Sequence, residues 1–134
     1  MAGDKVSFEL ASPEELVFAA EVDMVVVPGA EGDFGVLPGH APFISTVRPG
    51  VISVYQGDRI DERLFVAGGF AEVNERRCTV LAGEAHPVDA LDRGEVEARL
   101  GAAEDDLKDA DSDDERARAE AEIGVCRAML EALE

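Results

Sequence analysis

The side chains best suited to chemistry in this protein are two histidines, two cysteines and a dense acidic run, and their spacing limits what each can do. Neither His40 nor His86 has a Cys or His partner at ligand spacing, so no Cys/His set has the pattern of a zinc site. The cysteines form no CxxC pair and fall in segments of different periodicity, which predicts two reduced packing residues. The few serines, and Cys78, have no adjacent histidine to act as base, so no activated nucleophile is legible. Gly29-x-x-Gly32-x-x-Gly35 has the glycines of a phosphate loop without its lysine or Ser/Thr, and a strand rather than a helix follows. Asp109, Asp111, Asp113 and Glu120 occupy the first, third, fifth and twelfth places of a calcium loop. Against calcium, Asp114 stands where the sharp turn needs glycine, Arg116 stands where an apolar residue belongs, and Ser112 is placed to cap a helix. No metal, cofactor or catalytic residue is therefore expected, and contact chemistry is what remains.

One histidine sits where a contact residue would. From Pro28 to Gly50 the sequence reads PGAEGDFGVLPGHAPFISTVRPG, with Pro28, Pro38, Pro42 and Pro49 fixing φ between glycines. That spacing suits tight corners between short strands. Pro38-Gly39 before His40 and Ala41-Pro42 after it would hold one imidazole at the tip of a turn stiffened from both sides. The stretch reads as a rigid, exposed edge of a β-sandwich.

The elements that must position this corner follow from periodicity. Apolar residues alternate or cluster in β-branched runs at Val6 to Leu10, Leu16 to Ala19, Val22 to Val27, Gly35 to Leu37, Phe43 to Val47, Val51 to Tyr55, Arg59 to Asp61, Leu64 to Ala67, Phe70 to Asn74 and Cys78 to Leu81. Gln56-Gly57-Asp58 and Asn74 to Arg77 read as hairpin turns. About ten short strands make a sandwich or flattened barrel. His86-Pro87 is expected to stop the last strand and open a linker.

Beyond the linker the period becomes helical. Asp92 with Glu95 forms a capping box, a helix starts at Arg93, and Val96, Leu100, Ala103 and Leu107 fall on one stripe. Ser112 with Glu115 starts a second helix, with the stripe Ala119, Ile123, Cys126, Leu130 and Leu133. Two single-stripe helices joined by a short turn predict an antiparallel hairpin, marginal unless something covers its remaining apolar edge. The expected organisation is a β-sandwich over residues 1–85, a linker over 86–91 and a helical hairpin over 92–134.

Length and charge bound the partners. A sequence of 134 residues holds one ordinary core plus an appendage rather than two independent domains. Thirty acidic residues against twelve basic ones give a net charge of −18, which repels nucleic acid and anionic lipid and leaves basic partners or solubility as its uses. The run Met24 to Val27 is far too short to span a bilayer, and the first residues lack a basic, apolar leader. The protein is expected to be soluble and cytosolic, with docking on a membrane-bound partner left open.

Five ordered motifs add a resemblance. FELASPEELVF at 8–18, GDFGVLPGHAPF at 32–43, RPG at 48–50, GGFAEV at 68–73 and TVLA at 79–82 resemble the epsilon subunit of ATP synthase over nearly the whole length. The resemblance implies a ten-strand sandwich with a C-terminal helical hairpin. It also implies a noncatalytic place in the central stalk, peripheral on the cytoplasmic face of the inner membrane, with catalysis in other subunits. By the same resemblance His40, with Pro38 and Pro42, faces the gamma subunit, while Glu31 and Asp33 face polar loops of the membrane rotor ring. The hairpin would swing between a folded state and an extended one that transiently meets the catalytic alpha and beta subunits.

Relatives that bind ATP on this subunit share an Ile/Leu-Asp-x-x-Arg-Ala pattern, and here Leu91-Asp92-Arg93-Gly94-Glu95-Val96 puts Glu95 in place of the arginine. A glutamate there repels phosphate. From Asp92 to Glu134 there are fifteen acidic and six basic residues, and that charge would oppose insertion beside acidic loops. Weak autoinhibition and no ATP-dependent switching are the expectations. The competing reading, from another class, is a free-standing β-sandwich that binds a small ligand or calcium, with the acidic helix-loop-helix as a metal-responsive lid.

Overall fold

A computed structural model describes residues 4–134. The protein divides into two compact units, one ending at Val88 and one running from Asp89 to Glu134.

The first unit is all β. Its strands are β1 (Val6–Ala11), β2 (Leu16–Val22), β3 (Met24–Gly29), β4 (Gly32–Val36), β5 (Phe43–Val47), β6 (Gly50–Gln56), β7 (Arg59–Val66), β8 (Gly69–Val73), β9 (Arg77–Ala82) and β10 (Ala85–Pro87). They hydrogen-bond in the order β10-β7-β6-β3-β5-β8-β9-β1-β2, with β4 beside β3. All pairs are antiparallel except β1 with β9. The pairing of β3 with β5 is a single register contact, Gly29 with Val47. The sheet bends there, so that β5-β8-β9-β1-β2 forms one layer and the rest forms the other. On the opposite side the Gln56 amide donates to the Glu21 carbonyl at 3.1 Å, bringing β2 to β6 and giving the sandwich its near-barrel character.

Alternation explains why these segments pair as they do. In β1, Val6, Phe8 and Leu10 point inward and are fully buried, while the residues between them are half-exposed. Val25 and Val27 of β3, Ile52 and Val54 of β6, and Cys78 and Val80 of β9 complete the same core. Burying one such side chain stabilises the fold by about 1.5–3 kcal/mol.

The count of ten strands matches expectation, but two of the ten differ. Arg59 to Asp61 and Leu64 to Ala67, expected as separate strands, are one strand, β7, because β6 pairs along its length and β7 takes up the irregularity as a bulge at Asp61, opposite Val54/Tyr55. His86 and Pro87, expected to end the last strand as a linker, belong to β10, opposite Phe65 and Leu64. Proline is tolerated there because β10 is the outermost strand and needs no donor on its free side. The apolar run Val22 to Val27 is broken at Asp23, whose carboxylate accepts from Lys5 Nζ at 2.6 Å and from the Gly57 amide at 2.5 Å.

After a 3-10 turn at Val88–Ala90, the second unit holds α1 (Arg93–Asp109) and α2 (Asp113–Ala132). Both expected caps form: Asp92 Oδ1 accepts from the Glu95 amide at 2.9 Å, and Ser112 Oγ accepts from the Glu115 amide at 3.1 Å. Asp113, Asp114 and Glu115 lie in the first turn of α2, where the helix dipole favours them. Arg99 closes a fork on Glu122 across the two helices, its Nη2 at 3.0 Å from Oε1 and its Nε on Oε2. The buried face of α2 is wider than the single stripe expected, since Val125, Met129 and Ala132 are buried besides Ala119, Ile123 and Cys126, while Leu130 is only half-buried. The calcium alternative is corrected by the connection itself. Only residues 110–112 separate the helices, so the twelve-position loop from Asp109 to Glu120 is helix over most of its length.

Candidate docking surface

The corner that carries His40 is built on a tight turn. The His40 amide donates to the Leu37 carbonyl at 3.2 Å, with Pro38 at the first central position and Gly39 at φ +86° at the second. That is a type II turn, and only glycine accepts its second position without strain. The Gly39 amide donates to the Glu75 carbonyl at 2.8 Å, which anchors the turn to the β8–β9 hairpin. That hairpin is held by Asn74 Oδ1, which accepts from the amides of Arg76 and Arg77, both at 2.9 Å. His40 Nδ1 lies 2.7 Å from the Ala41 carbonyl, so Nδ1 carries a hydrogen and donates it there. Its ring lies 6.2 Å from that of Phe43, which meets Phe34 edge-on at 5.1 Å. A shallow cleft beside His40 is lined by Pro42, Asn74, Glu75 and Arg76.

An apolar band crosses the outer face of the layer β5-β8-β9-β1-β2. Register places Phe70 opposite Leu81, Leu81 opposite Ala11 and Ala11 opposite Leu16, with Ile44 of β5 one step along. Phe70, Leu81, Leu16 and Ile44 are 50%, 43%, 58% and 70% exposed, which is unusual for side chains of this size in one row. These residues were legible only as strand members. Which of them share a face depends on the cross-strand register, which no local pattern discloses.

Glu31 and Asp33 belong to the β3–β4 hairpin, whose two-residue loop is Ala30-Glu31. A Cβ on Gly29 would stand 2.6 Å from the Gly32 carbonyl oxygen, so glycine is required for that close approach. Glu31 is exposed. Asp33 is not a free charge, because Arg48 Nη2 donates to its Oδ1 at 2.6 Å. Arg48 was absent from the expected contact residues. Its signal was being the lone arginine or lysine between Pro28 and Gly50, in a stretch carrying two carboxylates.

The residues of the expected nucleotide pattern are used structurally. Asp92 is the N-cap of α1, Glu95 is exposed in its first turn, and Leu91 is half-buried before it. Cys78 and Cys126 are both free and buried, and burial pushes the Cys78 thiol up to about 12. Among the described residues no group of His, Cys, Asp or Glu is placed to hold a metal ion, and no helix is long and apolar enough to cross a membrane.

A ten-strand sandwich with a rigid histidine turn and an exposed apolar band, followed by a helical hairpin, forms a two-part architecture. Residues 5–88 match the family model of the β-sandwich domain of the ATP synthase delta/epsilon chain, and residues 92–134 match that of the C-terminal domain of the ATP synthase epsilon chain. The ATP synthase epsilon chain of Rhodospirillum rubrum is 55% identical over 129 residues, spanning 96% of both sequences. That of Paramagnetospirillum magneticum is 55% identical over 130 residues, spanning 97% of this protein and 98% of the relative. The fold is similar to one subunit in the Euglena gracilis mitochondrial ATP synthase OSCP/F1/c-ring structure, with a TM-score of 0.82 and 22% identity over 97% of this protein and 82% of that subunit. It is also similar to one subunit of the Tetrahymena thermophila mitochondrial ATP synthase central stalk and c-ring, with a TM-score of 0.68 and 14% identity over 98% of both. This protein belongs to the ATP synthase epsilon chain family, whose members are noncatalytic subunits of that enzyme.

Proposed function

We propose that this protein is a rotor component of the central stalk that joins the gamma subunit to the membrane rotor ring and couples proton flow to ATP synthesis. It would lie peripherally on the cytoplasmic face of the inner membrane. The observation that carries this reading is the apolar band from Ile44 through Phe70 and Leu81 to Leu16. Half-exposed side chains of this size gain up to about 1 kcal/mol each when a partner covers them, enough in sum to favour a lasting contact. Gamma is the partner proposed for this face, with Pro38 and Pro42 keeping His40 at its rim. The acidic hairpin tip of Glu31 and Asp33 is proposed to meet polar loops of the ring. Co-purification tests the assignment. Ile44→Asp with Phe70→Asp should remove gamma from the tagged protein without lowering the melting temperature of the free protein, and His40→Ala should weaken capture less. Retention of gamma by the double variant would defeat the reading.

Charge supports a second element of the proposal, a hairpin that inhibits ATP hydrolysis weakly and ignores ATP. Arg116 is engaged with Asp113 at 3.2 Å, Arg127 lies 3.9 Å from Glu104, and Arg99 is taken by Glu122. These pairings engage three of the six basic residues of the hairpin, against fifteen acidic ones, which disfavours contact with acidic loops on the alpha and beta subunits.

A further inference from the structure

Arg48 joins the acidic tip to the body of the sandwich at three points. Its backbone amide donates to the Pro28 carbonyl at 2.9 Å, its Nη1 donates to the Gly29 carbonyl at 2.5 Å, and its Nη2 donates to Asp33 Oδ1 at 2.6 Å. Pro28 and Gly29 end β3 and Asp33 lies in β4, so one arginine grips both strands of the hairpin just below its two-residue loop. The neighbouring Ala30 amide donates to the Thr46 carbonyl at 2.8 Å, which ties the loop itself to β5. Glu31, at the loop, has no such tether among the described residues and is exposed.

We infer that Arg48 is the positioning residue of the ring-facing contact. It neutralises Asp33 and uses it as an anchor, so that Glu31 alone presents free negative charge to the partner from a tip that cannot sway. This inference rests on the proposed ring-facing role of the hairpin and divides the two carboxylates by task. Glu31 makes the contact, and Asp33 acts only through Arg48. The guanidinium suits this grip because its two Nη atoms serve the Gly29 carbonyl and the Asp33 carboxylate separately from one rigid fork, where a lysine has a single nitrogen on a flexible stem.

The test uses ATP synthase assembled with each variant subunit at equal occupancy and reads protons pumped per ATP hydrolysed. Hydrogen exchange of residues 29–33 in the full-length protein is followed in parallel. Glu31→Gln should lower the ratio severalfold and leave exchange unchanged. Arg48→Ala should lower the ratio as far and speed exchange at the hairpin at least tenfold, with Arg48→Lys restoring little of either. Asp33→Asn should behave like Arg48→Ala, and the double variant should be no worse than either single one. Loss of coupling in Glu31→Gln but not in Arg48→Ala overturns the positioning role and leaves the ring-facing reading standing. An additive further loss when Asp33→Asn is added to Arg48→Ala also overturns it, since Asp33 would then touch the partner directly. If neither Glu31→Gln nor Arg48→Ala affects coupling, both are overturned.

Discussion

The two units of this protein keep their shape by different means. The sandwich is held by large side chains at zero or near-zero exposure, such as Phe8, Leu10, Ile52 and Leu64, whose contacts span distant strands. The hairpin has fewer of them: only Val96 and Ala103 are buried in α1, α2 adds Ile123, Val125, Cys126 and Met129, and the rest is capping and ion pairing at the surface. Apolar burial is insensitive to salt, whereas capping and surface pairs are worth about 1 kcal/mol or less each and are screened. A rigid scaffold suits a part that transmits force through fixed corners. A lightly held hairpin suits a part free to open.

The largest expected contrast is in core truncation. Phe8→Ala should cost about 3–5 kcal/mol and unfold the sandwich, while Leu100→Ala, at a half-buried site in α1, should cost about 1–2 kcal/mol. Denaturant midpoints of the full-length protein measure both, and equal losses would erase the distinction.

A kinetic version compares the two thiols, both buried. Cys126 should react with a water-soluble thiol reagent at pH 8 at least tenfold faster than Cys78, because local opening of the hairpin is easier than opening of the sandwich. The raised pKa of Cys78, about 12, slows it further. Similar rates would mean that the units open together.

The smallest effect concerns acid. The Asp23 carboxyl is held below its ordinary 3.8 by the Lys5 hydrogen bond and then by the Gly57 amide. A carboxyl depressed in the folded state stabilises fully above 3.8 and loses that contribution as pH falls through its folded value. The advantage in melting temperature of the native protein over Asp23→Asn should therefore hold at pH 5 and shrink below about pH 4. An advantage that does not change over that range would show that the shift is absent.

How far the sequence was legible follows the same division. Local signals carried the helices, since a cap at Asp92 or Ser112 and a step of three or four residues need only near neighbours along the backbone. Strand existence was legible for the same reason, but strand limits were not. β7 runs through Glu62 and Arg63 because β6 supplies partners, and β10 forms at a proline because an edge permits it. The docking surface shows the limit most clearly. The turn at His40 was legible from Pro38, Gly39 and Pro42, whereas the Arg48–Asp33 pair spans fifteen residues and the apolar band joins five strands. Pairings over such distances are fixed by register and by the bend at Gly29 and Val47.

Under the proposed function the sandwich carries the coupling while the hairpin adds little restraint. ATP hydrolysis and proton pumping by the assembled enzyme, measured with the full-length subunit and with a subunit ended at Asp89, put this to the test. Hydrolysis should rise less than twofold on truncation and pumping per ATP should stay the same. A severalfold activation on truncation, or loss of pumping with the hairpin gone, would contradict it.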